Sequence, residues 1–170
     1  MILESIIRRR SVREFAEEPV LDQSIDDVIK AAQSAPTAMD NRAVEFIVVK
    51  DQQVKDKLFE VAGQEYVKKA PVILVLVSDA NKSALPGFDL AIATGFAMIQ
   101  ASELQLGTVW KNIPGDKAGK VREILAIPEN FKCINLLPLG YPLNDPPQHS
   151  DAEFDRSKIH YDTWNEAQKC

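Results

Sequence analysis

Two cysteines in 170 residues, Cys133 and Cys170, are too few for a disulfide framework or a four-cysteine zinc site. Cys133 lies beside an apolar run and reads as a small core residue; Cys170, the last residue, is expected to fray. The two histidines, His149 and His160, have no cysteine near them, so no zinc ligand set is predicted. No glycine-rich phosphate loop of the P-loop or dinucleotide type occurs. No serine sits in a nucleophile-elbow glycine pattern. The acidic pairs Glu17-Glu18 and Asp26-Asp27 read as solvated positions and not as paired catalytic carboxylates. Nothing points to acid–base catalysis by side chains, an absence that fits chemistry carried by a cofactor. Positive charge is not in excess: the net charge is −5 and the pI about 5.1, which argues against a general nucleic-acid binder. Long apolar runs are missing too. The most apolar stretch, Leu90 to Ile99, is interrupted by Thr94 and Gly95 and is about half the roughly 20 residues a membrane span needs. Met1-Ile2-Leu3-Glu4-Ser5 lacks the pattern of a signal peptide. The expectation is a soluble protein of a reducing compartment, most simply cytoplasmic.

What is present is an ordinary globular composition, 45% hydrophobic and 26% charged, in a chain of 18.9 kDa. That size suits one domain over residues 1–170 with a core of its own. Leu3 to Arg9 reads as a short helix. Ser24 to Ala35 reads as a helix capped by Ser24, with Ile25, Val28, Ile29 and Ala32 recurring on one face and Pro36 stopping it. Phe46 to Val49 is a strand, and Gln53 to Ala62 a helix with Val54, Leu58 and Val61 inward. Pro71 to Val77 is continuously apolar and β-branched, the pattern of a central strand buried on both faces. Asp89 to Leu106 is the longest helix, apolar nearly all round, and therefore a core or interface helix ended by Gly107. Thr108 to Trp110 is a strand, Asp116 to Leu125 a helix, and Ile134 to Leu139 a strand. From residue 143 onward the chain is polar. An arm over 143–170 is costly to order alone and is expected to lie along another surface, such as a second subunit. The fold class is α+β or α/β, with a mixed sheet flanked by helices.

Three segments carry candidate chemistry. In the run Arg8 to Phe15, an extended chain after the helix puts Arg9, Ser11 and Arg13 on one side. Two guanidinium forks and a hydroxyl converging there suit a phosphate; a solvated basic helix end is the other reading. Ala35 to Arg42 is a polar loop between a helix and a strand, either a ligand contact or a plain connector. Leu104 to Trp110 and Leu137 to Pro142 hold glycines that let backbone approach closely, while Trp110 and Tyr141 serve packing or ring stacking.

Taken in order, these segments resemble the FMN-dependent nitroreductase family in its short form. Arg9-Arg10-Ser11-Val12-Arg13-Glu14-Phe15 is similar to the family's opening Arg-Arg-Ser-x-Arg-x-Phe. The likeness continues through Ala31 to Thr37, Phe46 to Val49, and Asp89 to Trp110. It runs on through Leu139-Gly140-Tyr141-Pro142 to the closing Phe154 to Trp164. The resemblance implies an α+β sandwich, a central mostly antiparallel or mixed sheet flanked by helices, forming an intertwined homodimer with two FMN sites at the interface. It implies hydride transfer from NADH or NADPH through the flavin to a small-molecule acceptor such as a nitroaromatic or quinone, with no nucleic-acid or membrane partner. On the matching positions, Arg9, Ser11 and Arg13 would hold the FMN phosphate and ribityl chain, with Arg10 close by and Lys158 near. Pro36, Thr37 and Ala38 would approach the ring from the other subunit, with Asp40 and Arg42 in the same loop. Leu139 and Gly140 would line the same cofactor. The pattern departs from Pro-Ser-x-x-Asn-x-Gln-Pro-Trp at Asp40, Arg42, Ala43 and Val44. Aspartate cannot give the ring the amide hydrogen bond of asparagine; Arg42 either donates in its place or pairs with Asp40. Gln105 stands for a usual glycine, and Glu153 stands near where a basic residue commonly assists with phosphate. These departures leave room for an FMN-binding dimer with little or no catalysis. The arginine cluster alone would also suit a small-anion or nucleotide module.

Overall fold

The computed structural model describes residues 2–164; Cys170 and the rest of residues 165–170 lie outside the described part of the arm. At the centre is strand β2 (Val72–Asp79), buried at every position. Its alternation divides the core. Val72, Leu74 and Leu76 face one layer of helices, while Ile73, Val75 and Val77 face another. Each such fully buried aliphatic side chain contributes about 1.5–3 kcal/mol, which makes this strand the main apolar anchor. Strand β1 (Val44–Val49) pairs antiparallel on one side of β2, and β6 (Asn135–Gly140) antiparallel on the other. The short strands β3 (Gly107–Thr108) and β4 (Lys111–Asn112) pair with β6, and β5 (Phe131–Lys132) with the end of β2. The sheet is thus antiparallel throughout its named strands.

Helices α2 (Asp22–Gln33) and α5 (Pro86–Glu103) cover one face through Ile25, Val28, Ala32, Leu90, Ala93, Ala97 and Ala101. Helices α3 (Gln52–Ala62), α4 (Glu65–Lys69) and α6 (Gly115–Leu125) cover the other through Leu58, Val67 and Val121. A short α1 (Glu4–Arg8) opens the chain. The result is the expected α+β sandwich.

Several local expectations change. Helix α2 starts at Asp22 with Leu21 before it and no side-chain cap, so Ser24 lies within the first turn and does not cap. The cap signal operates instead on α3, where Asp51 accepts the Val54 N–H. Helix α5 begins at Pro86, whose fixed φ suits a first helical position, and stops at Glu103. The left-handed residue after it is Gln105, with φ of 60°, and not Gly107. Gly107 serves close packing: a Cβ there would fall 2.6 Å from Val12 Cβ.

Helix α5 is apolar all round, as expected, but its two faces differ in size. Ala93, Thr94, Ala97 and Ala101 are buried, whereas Phe88, Ile92 and Phe96 point outward and are exposed. Small residues let α5 lie close to the sheet, and the large apolar groups form an outer stripe at helical spacing.

Candidate functional site

The site is built where the N-terminal segment is stitched onto the end of the sheet. Helix α1 ends when Arg9 takes extended backbone geometry. The Val12 N–H then donates to Thr108 O at 2.9 Å, and Ser11 forms a parallel bridge with Thr108. Farther on, Ala16 N–H donates to Tyr141 O at 2.9 Å. Val12 is buried against Gly107, so the alternating neighbours Ser11 and Arg13 face solvent.

Beside this seam lies a cleft of about 420 Å³. Arg8, Arg9 and Arg10 supply its charge, Gly107 and Thr108 its floor, and Tyr141 and Pro142 flat walls. The cleft therefore takes Arg9 and Arg10 from the predicted set but not Ser11 or Arg13, and it adds Arg8. The Arg8 Nε is buried and has no hydrogen-bond partner; its nearest carboxylates, Glu4 and Glu103, stand 3.8 and 3.7 Å from the guanidinium nitrogens. A buried unpaired donor of this kind is costly unless a ligand satisfies it.

The C-terminal segment closes one side of the cleft with Asp145, Pro146 and Gln148. It is fastened to its own chain. Leu143 N–H donates to Glu14 O at 3.0 Å and His149 N–H to Ile7 O at 2.9 Å. Arg10 donates to Pro147 O at 2.8 Å, Gln148 O at 3.0 Å and Glu153 Oε1 at 2.6 Å. Glu153 Oε2 is 2.6 Å from His149 Nδ1. His149 Nε2 stands 3.0 Å from Arg9 O and 3.3 Å from Arg9 Nη2. The bond with His149 is the largest influence on the Glu153 carboxyl; burial, the next, pushes it upward, but His149 together with the bonds and charge of Arg10 and the Ser150 N–H holds it down at about 2. Beyond this, Lys158 is exposed and pairs with Asp155 at 3.5 Å, away from the cleft lining.

The loop after α2 forms a separate cavity of about 500 Å³, lined by Pro36, Thr37, Asp40, Arg42 and neighbours. Met39, Asp40 and Arg42 all have positive φ. Three bonds hold this conformation: Ala38 N–H to Asp89 Oδ1 at 2.8 Å, Arg42 N–H to Thr37 Oγ1 at 3.1 Å, and Asn41 Nδ2 to Ala38 O at 2.6 Å. Asp89 is 2% exposed. Burial pushes its carboxyl upward, but donors from Ser83, Ala38 and Asn41 together win and keep it below the ordinary aspartate value. Of the two alternatives for Arg42, it takes the second: its Nε and Nη2 lie 3.1 and 3.3 Å from the Asp40 carboxylate. Leu139 is fully buried between β2 and β3, and Gly140 is buried with Pro71 2.6 Å from where its Cβ would stand, so neither of these two predicted residues lines the cleft. Cys133 is a core residue, its thiol pushed up to about 11 by burial.

The sequence profile of the nitroreductase family matches residues 6–69. A protein of Methanothermobacter thermautotrophicus named as an NADH dehydrogenase/NAD(P)H nitroreductase is 34% identical over 169 residues, covering 96% of this chain and 87% of its own. The chain belongs to the nitroreductase family. The FMN reductase [NAD(P)H] of Bacillus subtilis is 31% identical, over 83% of this chain and 66% of its own. A solved structure from Parabacteroides distasonis, named as an NADH dehydrogenase/NAD(P)H nitroreductase, superposes with a TM-score of 0.89 at 29% identity, covering 95% and 97% of the two chains.

Nitroreductase-family membership makes FMN the group to test against these residues. The residues present fit it. The orphaned Arg8 Nε and the Arg9 guanidinium suit a phosphate, and the Tyr141–Pro142 wall suits a flat ring. Among the described residues, no helix is long and apolar enough to cross a membrane.

Proposed function

We propose that two copies of this chain form a dimer that binds FMN between the arginine cleft of one copy and the Pro36–Arg42 loop of the other. The enzyme class is that of the family: an NAD(P)H-dependent flavin oxidoreductase of the nitroreductase type, with FMN as cofactor and NADH or NADPH as donor. FMN held there would supply two-electron redox chemistry between the nicotinamide nucleotide and a nitroaromatic, quinone or related acceptor. The protein's share is binding and positioning. Arg8 and Arg9 grip the phosphate, with Ser11, Arg13 and Lys158 as further contacts contributed once the dimer orders them. Leu139 and Gly140, buried in β6, support the neighbouring Tyr141 and Pro142 that line the cleft.

The single observation that carries this reading is the Arg8 Nε, buried and without a hydrogen bond among the described residues, in an arginine-lined cleft that Tyr141 and Pro142 also line. The dimer is supported by the exposed stripe Phe88, Ile92 and Phe96 and by Met39, which is fully exposed at the tip of its loop. The arm over 143–170 would continue across the partner beyond its fastening at Glu153. Titration with FMN, followed by flavin fluorescence, tests the binding. Steady-state oxidation of NADH and NADPH with a quinone and a nitroaromatic tests turnover, with parallel double-reciprocal lines expected for alternating substrates. Failure to bind FMN together with failure to oxidise either nucleotide overturns the proposal. A second reading, an FMN-binding dimer with weak catalysis, is favoured by the Arg42–Asp40 pair, which uses donors that would otherwise face the ring. Its signature is FMN binding without NAD(P)H oxidation.

A further inference from the structure

Arg10 lines the cleft, yet its Nε and Nη2 donors are all directed at the C-terminal segment, and the shortest of those bonds goes to the Glu153 carboxylate. The other oxygen of Glu153 holds His149, whose Nε2 touches both the backbone oxygen and the guanidinium of Arg9. One carboxylate therefore reaches both arginines, Arg10 directly and Arg9 through a ring. Its position is set locally by a capping box, in which Glu153 Oε1 also accepts the Ser150 N–H at 3.3 Å.

We propose that Glu153 sets flavin affinity by acting as an internal anion that competes with the ligand's phosphate for the Arg9–Arg10 pair. The inference rests on the reading of the cleft as a flavin-phosphate site. A phosphate entering the cleft meets two outcomes. It displaces Glu153 from Arg10, losing a charge-assisted bond of 2.6 Å. Alternatively it binds Arg8 and Arg9 while Glu153 keeps Arg10, so that the phosphate loses the attraction of a guanidinium whose charge is already neutralised. Either way Glu153 lowers affinity for the phosphorylated ligand and leaves a ligand without a phosphate untouched. The chain consequently holds FMN in ready exchange with solution.

The test is Glu153→Gln, which keeps the shape, the Ser150 bond and an acceptor for Arg10 but removes the charge. FMN and riboflavin are titrated into the wild-type and variant full-length chains, with thermal melts run alongside. The expected result is FMN binding about three- to ten-fold tighter in the variant, the scale of one partly screened charge, with riboflavin affinity unchanged. Glu153→Ala gives a second measure: if it melts as wild type, it shows the same selective gain. Unchanged or weaker FMN binding in Glu153→Gln overturns the inference while leaving the flavin site standing. An equal change for both flavins overturns it as well, because the effect is then on the wall of the cleft and not on its charge. Wild-type protein that binds neither flavin overturns the reading of the cleft itself.

Discussion

The carboxylate of Asp89, on the first turn of the outward-facing helix α5, accepts the backbone N–H of Ala38 at 2.8 Å. The same side chain takes the Ser83 hydroxyl at 2.5 Å and the Asn41 amide at 3.2 Å. One buried group thus ties the Pro36–Arg42 loop to the helix whose neighbouring residues, Phe88 and Ile92, form the apolar stripe.

Replacing Asp89 with alanine leaves an amide, a backbone N–H and a hydroxyl without their acceptor. The expected loss is about 2–3 kcal/mol, since bonds to a charged group are involved and the abandoned donors stay buried. Urea denaturation would show it as a lower midpoint. The pH sign follows from the depressed carboxyl. Its stabilisation is full above the ordinary aspartate range and is lost as pH falls through the lower folded value. The alanine variant should therefore lose less stability than wild type on acidification.

Gln105 carries φ of 60° between α5 and β3, a conformation that glycine adopts without side-chain strain. Gln105→Gly is expected to raise stability by about 0.5–1 kcal/mol, net of glycine's greater freedom when unfolded. Gly107→Ala is expected to do the reverse, because its Cβ would fall 2.6 Å from Val12 Cβ and push the N-terminal segment off β3. A loss of about 1–3 kcal/mol is the scale of such overpacking. Paired thermal melts of the two variants check both signs.

That pair also shows where sequence reasoning stops. The apolar, β-branched run Pro71 to Val77 and the periodic faces of α2 and α3 declare themselves locally, and the structure has them within a few residues of expectation. Helix α4 and strand β5, five and two residues long, carry too little pattern to announce themselves and exist through packing. Gly107 was legible as special but not for which reason: a left-handed turn and a close approach both select glycine. The run Arg8 to Phe15 marks a cationic centre, although of the set expected from it, Arg9, Ser11 and Arg13, the cleft takes Arg9 alone. Its partners were hidden, because Glu153 reaches Arg10 across 143 positions and Asp89 reaches Ala38 across 51. Such pairings depend on how the sheet orders its strands, which no local spacing records.

Ile92 sits mid-stripe on α5 between Phe88 and Phe96, one turn from each. A charge there faces solvent in a single chain and an apolar surface in a dimer. Ile92→Glu is expected to leave the chain folded, with stability within about 0.5 kcal/mol of a monomeric reference, and to abolish dimerisation. Light scattering on a sizing column reads the change in mass. FMN binding should fall with it, because the Pro36–Arg42 loop of the second copy is then missing from the site.

Acid should release the C-terminal segment before it unfolds the core. The groups facing Glu153 are the Arg10 guanidinium, the His149 ring and the Ser150 N–H, with Asp151 next to it in the same turn. The contact with His149 is an ion pair only while that ring is protonated. Because the folded value of about 2 lies below the ordinary glutamate value, the linkage has one sign. The stabilisation is complete above the ordinary value and fades as pH falls from there toward about 2. Hydrogen exchange at the His149 amide, which is bonded to Ile7 O, reports the fastening directly. Protection at this amide, corrected for intrinsic exchange, is expected to drop across that window while amides of β2 stay protected. In Glu153→Gln the drop should flatten, since no carboxylate remains to be protonated. Simultaneous loss of protection at His149 and in β2 would mean that the segment and the core open as one unit, contrary to a separately fastened strap.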